Sequence, residues 1–170
     1  MSEILLFLRT VRYLKFRQIV FRLYYAFRSK YRHFVRFEPK YNLYRKGKPL
    51  NFDKLLPSRR SYNSDTFTFL NKSITFSNGI DWDYMDNGKL WAYNLNYFDF
   101  LNQAEFKKET GEDLIFLFTD QIRGLKNANE PYPTSLRGIN WIKFLSVHKI
   151  EKKSFDRYLY SQYRILLEHI

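Results

Sequence analysis

The 170-residue chain contains no cysteine. That absence excludes a disulfide scaffold, a thiolate metal site and a cysteine nucleophile. Imidazole is almost as scarce. His33, His148 and His169 are the only histidines, and no two have the spacing of a metal-ligand pair. Glycine (6) and proline (5) are few, and neither occurs before Pro39, so nothing interrupts a helix over that stretch. Long hydrophobic runs are missing too. The longest uncharged ones, Ile4–Leu8, Leu23–Phe27 and Leu114–Phe118, fall far short of the roughly 18–20 residues of a membrane span. A secretory signal is not expected either. Glu3 stands where Lys or Arg belongs, Arg9 cuts the apolar run, and no small-residue cleavage site follows. The expected location is therefore cytoplasmic, unless the reading frame is cut short.

Acidic residues are rare in one region only. Residues 1–60 hold 16 Lys and Arg against 3 acids, whereas residues 61–170 hold 13 against 14. The whole net charge of +12 thus comes from the first third. Such asymmetry predicts a basic arm that meets something anionic: nucleic acid, a lipid surface or an acidic polysaccharide. What the chain has in abundance is aromatic surface, 20% of residues, with 17 Phe, 14 Tyr and 3 Trp. Hydrophobic residues at 45% exclude disorder as the general state, and the length suits one domain of ordinary size.

Periodicity predicts a mainly α chain. Residues 1–37 read as a basic amphipathic arm, helical over 2–29, with Phe7, Val11, Leu14, Val20, Leu23, Tyr24 and Phe27 on the apolar side and arginines between. Residues 38–83 read as an extended connector punctuated by Pro39, Gly47, Pro49 and Pro57. Within it, alternation over 66–76 predicts two short strands in a β-hairpin. From 84 onward the pattern predicts helices over Leu90–Leu101, 112–126 and 135–149, and one starting near Ser154 that keeps its apolar pattern to Ile170. That unstopped last helix predicts a chain that is cut short, with Tyr158, Tyr163, Leu166 and Ile170 partly exposed.

Two segments carry the chemistry. In Glu130–Leu145, Arg137, Asn140, Trp141 and Phe144 fall at i, i+3, i+4 and i+7 and share a helical face. Leu136, Ile139 and Ile142 are then left to form the core, and Thr134 or Ser135 to cap the helix. A guanidinium, a carboxamide and an indole on one face suit an acidic sugar: Arg137 for the anion, Asn140 for hydroxyls, Trp141 for stacking. The competing reading is a buried Arg137–Glu130 pair that braces the loop. In Leu90–Leu101, Asn94 and Tyr97 share a face, either as satisfied buried polar groups or as ligand contacts. Tyr132 is a further hydroxyl partner. No metal site, cofactor or catalytic residue is expected among these residues.

Several segments together resemble the N-terminal domain of the heparinase II/III family of polysaccharide lyases. They are Arg9–Leu14, Gln18–Tyr25, Phe69–Asn71, Ile80–Trp82, Leu90–Leu101 (LWAYNLNYFDFL) and Glu130–Leu145 (EPYPTSLRGINWIKFL). They span nearly the whole chain, and the last two are the specific ones. The resemblance implies the opening helix hairpins of an incomplete α/α toroid. It also implies a role in binding an uronic-acid polysaccharide that is cleaved by β-elimination. Two positions depart from the family: Phe16 where proline is common, and Asn96 where histidine is common. The family's catalytic Asn lies just beyond the helix with which this chain ends, and its Tyr and His follow later. The resemblance therefore implies a contribution to an acidic-polysaccharide cleft, with the missing C-terminal half as a partner and no activity alone. The rival class is a basic binding module for nucleic acid or an anionic membrane. Against nucleic acid, the arginines interleave with apolar residues and no nucleic-acid motif is present.

Overall fold

The computed structural model describes residues 13–35, 50, 52 and 56–169. They divide into two compact units, one built on the first helix and the other lying within Tyr44–Leu167. The protein is mainly helical, with five α-helices and one small antiparallel sheet among the described residues. No helix among them is long and apolar enough to cross a membrane.

The first unit holds α1, Phe16–Phe34. It runs five residues past the expected end at 29, since no glycine or proline stops it. The Lys15 backbone N–H donates to Gln18 Oε1 at its start (2.9 Å). The helix expected over residues 2–12, and most of the expected connector over 38–55, lie outside the described residues.

The second unit opens with a three-stranded sheet of order β1 (Tyr62–Asn63), β2 (Thr66–Phe69), β3 (Lys72–Thr75). Both junctions are antiparallel, with Tyr62 opposite Phe67 and Phe67 opposite Ile74. The expected hairpin is β2–β3; β1 is an additional strand. Each turn places two residues at positive φ, Ser64 (44°) and Asp65 (64°), then Leu70 (53°) and Asn71 (61°). This is the backbone of two-residue hairpin turns, whose twist matches the strands. Alternation turns Phe67 and Phe69 inward, while Thr66–Thr75 and Thr68–Ser73 pair their hydroxyls on the outer face.

The helices that follow are α2 (Lys89–Tyr97), α3 (Lys108–Gln121), α4 (Pro131–Val147) and α5 (Lys153–His169). Short 3-10 segments cover Asp99–Asn102, Ile122–Gly124 and Asn127–Asn129. Three boundaries differ from expectation. The helix read over Leu90–Leu101 breaks at Phe98, whose backbone is left-handed (φ 56°). Gly111, expected before its helix, sits inside α3. Helix α4 starts four residues early because Pro131 occupies its first turn, where the missing N–H costs nothing. Thr134 and Ser135 are consequently inside the helix rather than at its cap.

The core is aromatic. The fully buried Phe98 ring lies 5.0 Å from Trp82, 5.1 Å from Phe100 and Phe118, and 5.4 Å from Trp141, centroid to centroid. Stacked and edge-on pairs of this kind add about 0.5–1.5 kcal/mol each beyond burial. Helix α3 meets α4 where Gly111 faces Phe144. A Cβ on Gly111 would fall 2.2 Å from Phe144 Cζ. Gly111→Ala should therefore destabilise the second unit by roughly 1–2 kcal/mol in urea unfolding, overpacking outweighing the gain in helix propensity. An unchanged or raised midpoint would show that α3 and α4 do not pack this closely.

Candidate functional site

The expected binding face of α4 points inward. Arg137 and Trp141 are fully buried and Asn140 nearly so, while Ile139, expected in the core, is 48% exposed. Leu136 and Ile142 are half-buried. The helix is thus turned relative to the sequence expectation. Its aromatic and polar face packs into the aromatic core, and its aliphatic face points outward. Arg137 and Trp141, expected as anion and stacking contacts, therefore have no exposed surface in this structure, and Asn140, expected to meet hydroxyls, has little.

The alternative, an Arg137–Glu130 pair, is also not what forms. All five guanidinium N–H groups donate to neutral oxygens. Nε and Nη2 reach Gln162 Oε1 from the same side; the Nε bond is 2.9 Å. Nη1 donates to the carbonyls of Ala128 (2.9 Å) and Asn96 (3.2 Å), and Nη2 also to Thr134 Oγ1 (3.2 Å). The Phe118 ring lies against the group, 4.4 Å from centroid to Cζ. Burial pushes the Arg137 guanidinium below its ordinary pKa, with no carboxylate in contact to offset it. Arg137 thereby ties α2, the Asn127–Asn129 turn, α4 and α5 to one point. Asn140 Nδ2 adds a bond to the Tyr97 carbonyl (2.9 Å), and Asn96 Nδ2 bonds the Trp82 carbonyl (2.7 Å).

Asp83 anchors the same turn from outside. Its carboxylate accepts from the backbone N–H groups of Lys126 (2.7 Å), Asn127 (3.1 Å) and Ala128 (3.4 Å). Sequence reasoning missed it. An aspartate that binds a segment 43 residues away leaves no local signal.

What this frame leaves accessible is a tyrosine patch. Lys89, Tyr93 and Tyr97 follow one another at i, i+4 and i+8 on α2, and Glu130 and Tyr132 sit at the start of α4. The rings of Tyr93, Tyr97 and Tyr132 lie within 5.6–6.3 Å of one another. Tyr132 is 58% exposed. Lys89 Nζ contacts Glu130 Oε1 at 2.7 Å and lies 5.3 Å from the Tyr93 ring, and the Tyr93 hydroxyl donates to Glu130 Oε2. Asn94 is on the patch's edge, with Nδ2 bonded to the Leu90 carbonyl of its own helix (2.7 Å). Of the five residues expected to bind substrate, Tyr132 and Asn94 are the two at a surface. Tyr97 was already a candidate contact beside Asn94; Lys89 and Tyr93 were overlooked, although the four-residue spacing of the three was readable.

Lys89, then Tyr93, hold the Glu130 carboxyl below its usual range. Glu130, then Tyr93, raise Lys89. Burial chiefly, with Tyr132 and Tyr93 adding, pushes Tyr97 up to about 12. Tyr97 is therefore a hydrogen-bond donor at neutral pH and not a proton acceptor. A separate small cleft of about 230 Å³ lies between Phe106, Phe144, Asn102 and His148. Burial, then Lys108, lowers the His148 pKa there. Among the described residues, no group of three His, Asp or Glu gathers to hold a metal ion.

Two outcomes follow. Arg137→Met should cost about 3–5 kcal/mol in urea unfolding, because it strands the oxygens that five N–H groups now satisfy. Arg137→Lys, with three donors, should recover only part of that. For Tyr97, the difference in 295 nm absorbance between wild type and Tyr97→Phe should show ionisation only near pH 12. A folded pKa above the unfolded value of about 10 means that this contribution to stability is complete below pH 10 and lost as pH rises through 12. Comparison of the chain with family models, with curated proteins and with solved structures gives no match in any of the three.

Proposed function

We propose that the chain is the N-terminal part of a heparinase II/III-like polysaccharide lyase, its helices the opening of an incomplete α/α toroid. In this reading it contributes to an acidic-polysaccharide cleft and is not active alone. The binding surface is the tyrosine patch rather than the Arg137 face.

One observation carries the reading. The two segments with the most specific resemblance, Leu90–Leu101 and Glu130–Leu145, supply between them the Tyr93, Tyr97 and Tyr132 rings, with Lys89 adjoining. Flat aromatic faces take the apolar side of a sugar ring, and phenol hydroxyls take its hydroxyls. Lys89 supplies the cation for a uronate carboxylate, in exchange for Glu130. Arg137 and Asn140 are positioning residues, which lock α4 against α2 so that Tyr132 stays beside Tyr97. Elimination needs a base near the C5 proton, and a tyrosine raised to about 12 does not provide one.

The test is titration of uronate oligosaccharides, followed calorimetrically, into wild type, Tyr97→Ala/Tyr132→Ala and Glu130→Gln. The double variant should bind about tenfold or more weakly, the scale of losing two stacking contacts. Glu130→Gln should bind more tightly, because Lys89 is released and a negative charge is removed. Neutral oligosaccharides should show no such gain. No rise in unsaturated-uronate absorbance is expected with any of the three proteins. Equal affinity in wild type and the double variant would remove the patch from the site.

A further inference from the structure

The strongest feature outside the tyrosine patch is α1, described in its own unit and playing no part in the proposed cleft. At 100° per residue, Phe16, Val20, Leu23, Phe27, Tyr31 and Phe34 fall within an arc of about 80°. This stripe faces solvent: Phe16 is 81% exposed, Leu23 67%, Phe27 74% and Phe34 85%. Arg17 borders one edge of it and Lys30 the other, while Arg22 lies nearer the opposite side. No acidic residue occurs anywhere between Ile4 and Arg36.

We propose that α1 lies in the surface of an anionic lipid bilayer, with the Phe16–Phe34 stripe in the acyl boundary and its flanking cations against lipid phosphates. The combination is what an interfacial helix needs: an apolar face, cations on both borders, and a tyrosine at the wet edge of the stripe. Charge decides among occupants. A second copy would bring its own Arg17, Arg22 and Lys30 against these three, and neither helix contains an acid. A duplex would take the charged side and leave the phenylalanines in water. An anionic bilayer satisfies both sides of the helix at once, and each cation near such a surface adds attraction.

The experiment is co-sedimentation of the full chain with phosphatidylcholine vesicles, with and without phosphatidylglycerol. Duplex DNA binding and sedimentation velocity are measured alongside. Wild type should pellet with phosphatidylglycerol vesicles at least about tenfold more strongly than with phosphatidylcholine alone, and less as salt rises. Leu23→Asp/Phe27→Asp should weaken that binding about tenfold or more. Arg17→Glu/Arg22→Glu, which leaves the stripe intact, should lose the preference for phosphatidylglycerol. Near-UV circular dichroism verifies that the second unit stays folded in each variant, since Trp82, Trp91 and Trp141 are all buried there, and far-UV circular dichroism verifies that helix content is kept. Absence of binding to phosphatidylglycerol vesicles would overturn the proposal. So would binding that the aspartates leave unchanged. A DNA shift without vesicle binding would reassign the helix to nucleic acid. A dimer that the aspartates dissociate, again without vesicle binding, would assign the stripe to a second copy. Both of these results reject the bilayer.

Discussion

Everything in the second unit depends on a buried cation that has no anion. Arg137 is enclosed on all sides, and its five N–H groups meet a carboxamide, a hydroxyl and two backbone carbonyls. A desolvated charge of this kind is costly, and neutral oxygens offset the cost only if every donor is used. The acceptors come from four separate elements. The satisfaction of one side chain therefore fixes where α2, the Asn127–Asn129 turn and α5 end up around α4. Gln162 gives its oxygen to two of the bonds and leaves its own Nε2 unpaired among the described residues. That unpaired amide shows how far the local arrangement is set by the guanidinium.

The consequence for function is indirect. The same network that removes Arg137 from any ligand gives the tyrosine patch a stiff floor. Asn96 lends its carbonyl to Arg137, and Tyr97 lends its carbonyl to Asn140. The backbone at the last turn of α2 is therefore held from below, while the half-buried Tyr93 and Tyr97 rings and the exposed Tyr132 ring lie above it. Asp83 fixes the other approach by holding the N–H groups of the turn that leads into Glu130 and Tyr132. Binding that rests on stacking and hydroxyl contacts gains from such pre-ordering, because little side-chain freedom is left to lose.

Element types were legible in the sequence, and so was the segment that matters most. The alternation of Phe67 and Phe69 with threonines announces β2, and the spacing in Glu130–Leu145 announces α4. What periodicity does not decide is which face of an amphipathic helix is inward when both faces are partly apolar. In α4 the choice lay between Leu136, Ile139 and Ile142, and Arg137, Trp141 and Phe144. Hydrophobicity alone favours the first set. Volume and ring geometry favour the second, since Trp141 and Phe144 complete an aromatic core already containing Phe98, Phe106 and Phe118. The burial of Arg137 follows from that choice, and no rule about single residues would supply it. Strand β1 escaped for a different reason. It is two residues long, and its turn uses Ser64 and Asp65 rather than glycine.

Phe98 joins two requirements that usually belong to different residues. Its backbone takes the left-handed conformation that ends α2, a duty that glycine performs without strain. Its ring is the centre of the aromatic core, a duty that glycine cannot perform at all. Nothing local in the sequence instructs the helix to stop there, so the stop is written by the surrounding rings. Termination of α2 and collapse of the core are then a single cooperative event. A chain that has not yet assembled its aromatic cluster has no reason to bend at residue 98, and one that has bent there has already committed its interior.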